Sequence, residues 1–213
     1  IGLWPYGTGF TFLTGAAVLS VMGLFLGIIA YAVCLSKGLK AERSGILIGI
    51  LLSAVILAQL GVQYSAVTSH PVIHNISTDT VEPPVFNKLV AIREAEGANP
   101  LAYDAEVLAE QQQTAYPEVK TLVSSQPTNV LFNQAMVVLQ DLGLEIVNED
   151  TAAGMIEATA TTFWFGFKDD VVVRIRSTAN GSIVDVRSVS RVGRSDLGVN
   201  AKRIRAILNG IES

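Results

Sequence analysis

The sequence Gly9–Leu35, GFTFLTGAAVLSVMGLFLGIIAYAVCL, contains no charged side chain, and neither does Gly45–Tyr64, GILIGILLSAVILAQLGVQY. A helix needs about 20 apolar residues to cross a bilayer core of roughly 30 Å. We therefore predict a membrane-anchored chain with two transmembrane helices, over about 9–35 and 45–64. The remaining residues suffice for one ordinary domain. Because the sequence begins with Ile1, we also expect a preceding segment that can hold a further span.

Glycines recur four residues apart in both predicted spans, at Gly23 and Gly27 in the first and at Gly45 and Gly49 in the second. Small residues at this spacing allow helix backbones to approach closely in lipid. We predict a helix–helix contact at these glycines, either within a hairpin formed by 1–67 or with the helices of a partner. The spans carry no charged side chain, so a proton or ion path is not expected.

The short loop between the spans contains Lys37, Lys40 and Arg43, whereas residues 1–8 contain no Lys or Arg. Short loops rich in Lys and Arg remain on the cytoplasmic side of a membrane. This pattern places the loop inside the cell and everything after the second span outside. For a bacterial inner-membrane protein, the predicted location of the domain is the periplasm.

The residues after the spans predict an α+β domain. Residues 68–126 are punctuated by Pro, Asn and Asp, and we interpret them as an irregular connector with short helical pieces and the start of the soluble domain. Within this segment, 119–124 is a candidate strand. Residues 127–213 show regular periodicities that predict a helix, four strands and a final helix. The expected core is a two-layer arrangement, an antiparallel sheet with helices on one face. The expected strands are 144–147, 155–162, 171–177 and 183–190.

Asn180-Gly181 is a strong hairpin signal, because a type I′ turn needs positive φ at both central positions. With this pair as a two-residue loop, Arg174 faces Arg187 on the returning strand. Side chains alternate between the two faces of a sheet. We therefore predict a free sheet face, opposite the helices, that is rich in arginine. Its polar side chains are expected to be Glu157, Arg174, Arg176, Asp185 and Arg187.

Charge is unevenly distributed along the soluble part. Residues 68–150 contain 12 acidic and 3 basic side chains, whereas 151–213 contain 6 acidic and 9 basic ones. Like charges directly opposite each other destabilise a sheet, so Arg174 and Arg187 would need a negative neighbour. Two interpretations remain open. Either the acidic first half covers the basic second half, or an anionic ligand or partner binds the arginine-rich face.

Four segments in order carry a specific pattern. They are Ile73–Asp79 (IHNISTD) followed by Pro83-Pro84, Trp164–Val171 (WFGFKDDV), Val184–Ser188 (VDVRS) and Ser190–Ala201 (SRVGRSDLGVNA). These segments resemble the hallmark motifs of domain-of-unknown-function family 1499, and the similarity extends over about 70–210. Members with N-terminal spans resemble this chain along its whole length. The family is uncharacterised, so the resemblance implies no activity, cofactor or catalytic residue.

The sequence shows no catalytic constellation. His70 and His74 are spaced i and i+4, but Pro71 argues against the helix that such zinc ligands need, and no Cys pair or third His supports a metal site. Neither a nucleophile elbow nor a phosphate loop occurs. A hydrolase would need the fold to bring His74 to a serine such as Ser190 or Ser195. We therefore predict no catalytic residue, no metal and no cofactor.

The segment Gly193–Gly198 is a second place where an anion could bind, with Arg191 and Arg194 beside the start of the last predicted helix. Asp196 opposes such a site, because its carboxylate would lie where the anion should sit. Ser195-Asp196 is also a good helix cap. Nucleic acid is not an expected partner, because a pI near 5.2 gives no overall basic field.

Three functional hypotheses follow. The first is a non-catalytic accessory subunit of a larger membrane protein complex, in which the spans pack against partner helices and the periplasmic domain contacts partner subunits. The second is a membrane-anchored module that binds a lipid headgroup or a small anion on the arginine-rich sheet face. The third, and least favoured, is a hydrolase that acts close to the membrane.

Overall fold

The computed structural model describes residues 5–163 and 165–213, so Trp164 of the second motif lies outside the described residues. The described chain divides after Ser69 into two compact units. Its elements, in chain order, are α1 (Tyr6–Ser36), α2 (Arg43–Ser69), β1 (Asn75–Ser77), α3 (Lys88–Glu96), α4 (Ala105–Ala115), β2 (Leu122–Ser124), α5 (Thr128–Asp141), β3 (Glu145–Asp150), β4 (Met155–Thr161), β5 (Lys168–Thr178), β6 (Gly181–Ser190) and α6 (Val199–Glu212).

The first unit consists of the two apolar helices, which pack against each other. By length and composition, both α1 and α2 are able to span a bilayer. Their large apolar side chains are mostly exposed, for example Phe25 and Leu51. The two predicted apolar helices are therefore confirmed, and their outer surface is of the kind that lipid or other helices cover.

The predicted glycines of the two helices lie in different surroundings. A methyl group on Gly23 would lie 2.8 Å from Ser53 Oγ of α2, and Gly27 approaches α2 equally closely. A methyl group on Gly45 or Gly49 would have no neighbouring atom within 4 Å. Gly23 and Gly27 thus form the hairpin contact, whereas Gly45 and Gly49 lie on a part of α2 that α1 does not cover.

The second unit is an α+β domain built on a six-stranded antiparallel sheet, and the predicted fold class is confirmed. The strand order is β1-β6-β5-β4-β3, and β2 also pairs with β6. Helices α5 and α6 lie against one face. Their apolar side chains form the main core with the inward-pointing side chains of the sheet, among them Leu131, Leu139, Ile204, Ile207, Val171, Val173, Val184 and Val186.

Two short strands lie in the segment 68–126. β2 falls within the candidate strand 119–124, whereas β1 lies in a part of the segment for which the sequence predicts no strand. β1 pairs with the end of β6 and β2 with its start. Each has only three residues, and in β1 these are too few to show the alternation by which a strand is recognised in a sequence. Both short strands complete the sheet edge at β6.

The second face of the sheet is covered, which corrects the prediction of a free face. The segment from Thr78 to Tyr103, which includes α3, crosses it. Phe86 and Leu89 pack there against Val172 and Val189 in a second, smaller core. The cover agrees with the first of the two interpretations left open by the sequence, in which the acidic half covers the basic half. The packed position of α3 was not predicted, because most of the segment lacks the periodicity that identifies a packed element.

The turn between β5 and β6 differs from the predicted one. Thr178 pairs with Gly181, so Ala179-Asn180 forms the two-residue loop and Gly181 is already part of β6. The φ angle of Gly181 is 141°, and a Cβ atom there would lie 2.2 Å from the carbonyl oxygen of Ser124. Gly181 is therefore required by the close approach of the chain after β2.

The change of turn moves the predicted register by two residues. Arg174 faces Asp185 rather than Arg187, and Arg187 faces Val172. The predicted pair of facing arginines is therefore wrong. Because side chains alternate with a period of two, the same shift leaves each of them on the face that the sequence predicted.

We expect the hairpin contact to be trapped by a disulfide in a Cys34→Ala background, since Cys34 is the single cysteine of the chain. A Cβ atom at residue 23 would lie 3.9 Å from Ser53 Cβ, within the range of about 3.5–4.5 Å found in disulfides. Gly23→Cys with Ser53→Cys should cross-link under mild oxidant, as judged by electrophoretic mobility. Gly23→Cys with Gly49→Cys is the control, and equal cross-linking of both pairs would contradict the packing.

Candidate functional site

Arg174 and Arg176, two of the predicted site residues, form ion pairs with carboxylates of the same chain. Arg174 Nη2 lies 3.1 Å from Asp185 Oδ2 and 3.0 Å from Asp79 Oδ2. Arg176 Nη1 lies 2.8 Å from Glu82 Oε2, and its Nη2 lies 3.1 Å from Asp185 Oδ2. Asp79 and Glu82 belong to the acidic half of the domain, so that half does cover the basic half at this position.

Asp185 holds this cluster together from a fully buried position. Its Oδ1 accepts hydrogen bonds from Thr78 Oγ1 at 3.1 Å and Thr121 Oγ1 at 2.5 Å, while its Oδ2 meets the two guanidinium groups. Burial acts to raise the pKa of Asp79, but two backbone N–H groups and the charge of Arg174 outweigh it, so that this pKa lies below its usual value.

A second ion cluster surrounds Asp170 of β5, which is fully buried. Arg93 Nη1 of α3 lies 2.6 Å from Asp170 Oδ2, and Arg191 Nη2 lies 2.7 Å from Asp170 Oδ1. Thr159 Oγ1 donates to the same Oδ1 at 2.7 Å. Arg191 Nη1 also reaches Glu96 Oε2 at 2.7 Å, and this hydrogen bond is the main cause of the lowered pKa of Glu96. The predicted residue Arg191 is thus held inside the domain.

Glu157, another predicted site residue, caps α3. Its carboxylate accepts hydrogen bonds from the backbone N–H groups of Asn87 at 2.6 Å and Lys88 at 2.8 Å. The first N–H groups of a helix have no partner within the helix and attract negative charge. Asn87 itself makes no side-chain cap, so Glu157 of β4 supplies the cap from the sheet face that α3 covers.

Arg187 differs from the other arginines of this face, because among residues 5–163 and 165–213 no carboxylate pairs with it. Its guanidinium instead donates to oxygen atoms of three segments. Nε donates to Asn75 Oδ1 at 3.0 Å, Nη1 to the carbonyl oxygen of Pro84 at 3.0 Å, and Nη2 to that of Leu101. The side chain is buried, so its donors are used internally and leave no open side for a ligand.

Two aromatic rings complete the surroundings of Arg187. Its guanidinium carbon lies 5.5 Å from the ring centre of Phe86 and 5.7 Å from that of Tyr103, a distance at which the ring faces attract a cation. Burial lowers the pKa of Arg187 to about 10 and raises the pKa of Tyr103 to about 12. Arg187 remains charged near neutral pH and ties the covering segment to β6.

The loop before α6, our second predicted anion site, is occupied by the chain's own carboxylate. Asp196 Oδ1 accepts from the N–H of Gly198 at 3.0 Å, and Oδ2 accepts from that of Asn200 at 2.9 Å. Burial is the main cause of the raised pKa of Asp196. Arg194 of this loop is exposed, whereas Arg191 is held by Asp170. The loop is therefore a helix cap rather than a vacant anion site.

No described hydrogen bond joins the imidazole ring of His74 to a serine hydroxyl group. His74 Nδ1 lies 3.4 Å from the carbonyl oxygen of Arg194. Ser190 Oγ accepts from Asn200 Nδ2, and Ser195 Oγ donates to the carbonyl oxygen of Pro71. Within the described part of the chain, no group of three or more His, Cys, Asp or Glu side chains is placed to hold a metal ion.

A cleft of about 290 Å³ lies away from both ion clusters, at the start of α5. It is bordered by the β3–β4 turn and the end of β5. Its polar lining consists of hydroxyl and amide groups and includes no ionisable side chain; these residues are Thr128, Asn129, Asn133, Thr151 and Ser177. Such a lining offers hydrogen bonds but no acid, base or charged nucleophile.

A family model described as "Protein of unknown function (DUF1499)" matches residues 75–211. The chain belongs to this family. The match confirms the resemblance seen in the four sequence motifs. No curated protein matches the chain.

The four DUF1499 motifs meet in the ion clusters and hydrogen bonds described above. The first motif supplies Asn75 and Asp79, the second Asp169 and Asp170, the third Asp185 and Arg187, and the fourth Arg191, Asp196 and Asn200. Asp169 pairs with Arg203 of α6 at 2.7 Å. The motif residues thus connect β1, β5, β6 and α6, and their described contacts stabilise the fold of the domain.

Sequence reasoning missed the partners that come from the covering segment. Arg93 is the main example, because it reaches Asp170 from a helix that we had treated as short helical pieces in a loop. A signal was present, since Leu89 and Arg93 lie four residues apart and both are buried on the inner side of α3. An arginine at such a position indicates a buried acid opposite.

Arg187→Met should lower the free energy of unfolding by about 3 kcal/mol, because it leaves buried acceptors of three segments without a donor. Arg205→Met is the matched control, since the Arg205–Glu118 pair is half exposed and such pairs contribute about 0–1 kcal/mol. Urea unfolding of the full chain in detergent measures both. Equal losses in the two variants would show that the buried contacts of Arg187 have no special role.

Asp79→Asn should make the domain less sensitive to acid. The folded pKa of Asp79 is lowered, so its contribution to stability is present above its unfolded pKa of about 3.9 and is lost as the pH falls through the folded pKa. Unfolding curves between pH 6 and about pH 3 should therefore have a shallower pH dependence in Asp79→Asn than in the wild type. The exposed Asp141→Asn variant should follow the wild type; a wild-type slope in Asp79→Asn would contradict the assignment.

Proposed function

We propose that this DUF1499 protein is a non-catalytic accessory subunit of a larger membrane protein complex. In this proposal, α1 and α2 anchor the chain in a bacterial inner membrane and the domain lies in the periplasm. The observation that carries the proposal is a contrast within the chain. The helical hairpin exposes its apolar side chains, whereas the domain uses the charged side chains of its covered sheet face for internal contacts.

The exposed apolar surface supports the membrane part of the proposal. Side chains such as Phe25, Leu51 and Val55 are more than half exposed on helices long enough to span a bilayer. In water such a surface would cause aggregation, whereas lipid tails or partner helices cover it.

The distribution of basic residues supports the orientation. Lys37, Lys40 and Arg43 lie in the short connection between the helices, and such connections remain cytoplasmic. A hairpin with its connection inside places the residue that follows α2, and hence the domain, on the opposite side of the membrane.

The contacts within the domain support a binding role toward proteins more than toward a small anion. Arg174, Arg187 and Arg191 are the side chains that an anion would need, and each is already held by carboxylates or carbonyl oxygens. On α2, Gly45 and Gly49 have no side chain, and no neighbouring atom covers them. A partner helix can approach the backbone closely at such positions.

Purification of the full chain from its native membranes in mild detergent tests the proposal. We expect stoichiometric partner subunits, and we expect the double variant Gly45→Leu, Gly49→Leu to lose them by steric hindrance while its hairpin remains intact. Gly61→Leu is the control, because Gly61 also borders open space but lies elsewhere around α2. A wild-type chain that migrates without any partner would contradict the accessory role.

The orientation has a separate test. Single cysteines at Lys40 and at Asn180, in the Cys34→Ala background, should differ in their reaction with a membrane-impermeant thiol reagent. We expect labelling of Asn180→Cys in intact cells after the outer membrane is permeabilised, and labelling of Lys40→Cys only after lysis. The reverse pattern would place the domain in the cytoplasm.

A further inference from the structure

At one end of the sheet, the loop between β4 and β5 lies near the first residues of the domain. The β4–β5 loop closes tightly, as Thr162 N donates to the carbonyl oxygen of Phe167 at 2.9 Å. Beside it, Arg191 N donates to the carbonyl oxygen of Lys168 at 2.9 Å, and Ser190 N donates to that of His74 at 3.0 Å. We call this end, formed by 70–74, 162–163, 165–168 and 190–202, the entry end of the domain.

The entry end exposes apolar side chains next to basic ones. Phe163 is 57% exposed, and Val72 and Val199 are 62% and 42% exposed. The basic side chains Arg194 and Lys202 are also exposed. Aromatic and apolar groups flanked by basic ones suit the headgroup region of a bilayer, which is apolar on one side and often anionic.

The connection between α2 and the domain is short enough to keep this end within reach of a bilayer that α2 spans. Only residues 70–74 separate the end of α2 at Ser69 from β1 at Asn75. An extended chain spans at most about 3.3–3.6 Å per residue, so these five residues allow a separation of less than about 20 Å. The surface beside Asn75 is therefore presented to the bilayer at a high effective concentration.

We propose that the entry end of the domain docks on the bilayer surface, with Phe163 entering the headgroup region and Arg194 and Lys202 facing lipid phosphates. This inference rests on the proposed membrane anchoring by α1 and α2 and goes beyond it. The occupant is a lipid surface, because the chain's own connection makes it the surface nearest to this end. Docking would fix the orientation of the domain and present its remaining surface to partner subunits.

The exposed charge at the entry end suits the anionic headgroups of a lipid surface. Glu96, a nearby acid, lies 3.6 Å from Lys168 Nζ and is also held by Arg191, so it is partly neutralised. The exposed Arg194 and Lys202 remain for phosphates. A few basic side chains around apolar ones are attracted to anionic lipid headgroups, and this attraction does not require a binding pocket.

Spin labels on single cysteines test the proposal in the full chain, in the Cys34→Ala background, reconstituted into nanodiscs of phosphatidylcholine and phosphatidylglycerol. The informative label is at Phe163→Cys. Val123→Cys is the matched control, because Val123 is an apolar residue that is 75% exposed and lies at the opposite end of β6. A label at Val55→Cys, in the middle of α2, reports whether the hairpin is in the membrane.

For each spin label, we measure its accessibility to molecular oxygen and its accessibility to a water-soluble nickel complex. We expect the ratio of the first to the second to be several-fold higher at residue 163 than at residue 123, and highest at residue 55. Equal, water-like values at 163 and 123 with a lipid-like value at 55 would overturn docking but leave the membrane anchor intact. A water-like value at 55 would overturn both. Protection of 163 in native membranes, but not in pure lipid nanodiscs, would also overturn it, because the occupant would then be a protein.

Discussion

A buried charge is tolerated in a protein only when an opposite charge or a complete set of hydrogen bonds surrounds it, and this constraint shapes the covered face of the sheet. Asp170 and Asp185 are fully buried on strands that also carry arginines. Each of these acids meets two guanidinium groups, and each also accepts a hydrogen bond from a threonine. The covering segment has to supply the missing partners, and it does so through Asp79, Glu82 and Arg93.

Such clusters contribute to the specificity of the fold more clearly than to its net stability. The desolvation cost of each buried ion offsets much of the attraction. An alternative placement of the covering segment would leave several charges without partners, and this cost is large. The charged side chains therefore act together with the small apolar core around Phe86 and Leu89. Apolar contacts are non-directional, so this core alone would not select one placement of the covering segment.

The sequence predicts a large part of the fold because its strongest signals are local. The uncharged stretches identify α1 and α2, and regular periodicity identifies α5, α6 and the long strands. The faces of β5 and β6 were predicted even though their register was not, because a shift of two residues preserves alternation. The turn was misplaced since nothing local reveals that Ser124 packs against Gly181. The partners of Arg187 were not predictable either, because two of them are backbone carbonyl oxygens, which carry no sequence signature.

The candidate site could be predicted only as a set of residues. Glu157, Arg174, Arg176, Asp185 and Arg187 do lie on one sheet face, as their spacing predicts. Whether that face binds a ligand or another part of the chain depends on contacts between residues some 70 to 110 positions apart. No periodicity in the sequence contains this information, which is why the two interpretations stayed open until the fold was known.

The surroundings of Arg187 have a consequence for how small this module can be. All the described hydrogen-bond acceptors of its guanidinium come from residues 75, 84 and 101, upstream of α5, α6 and the long strands. A minimal fragment that began at α5 would keep most of the main core, but it would leave the guanidinium of Arg187 without its hydrogen-bond acceptors. The shortest version of the domain that can fold must therefore start ahead of Asn75, close to the membrane-spanning part itself.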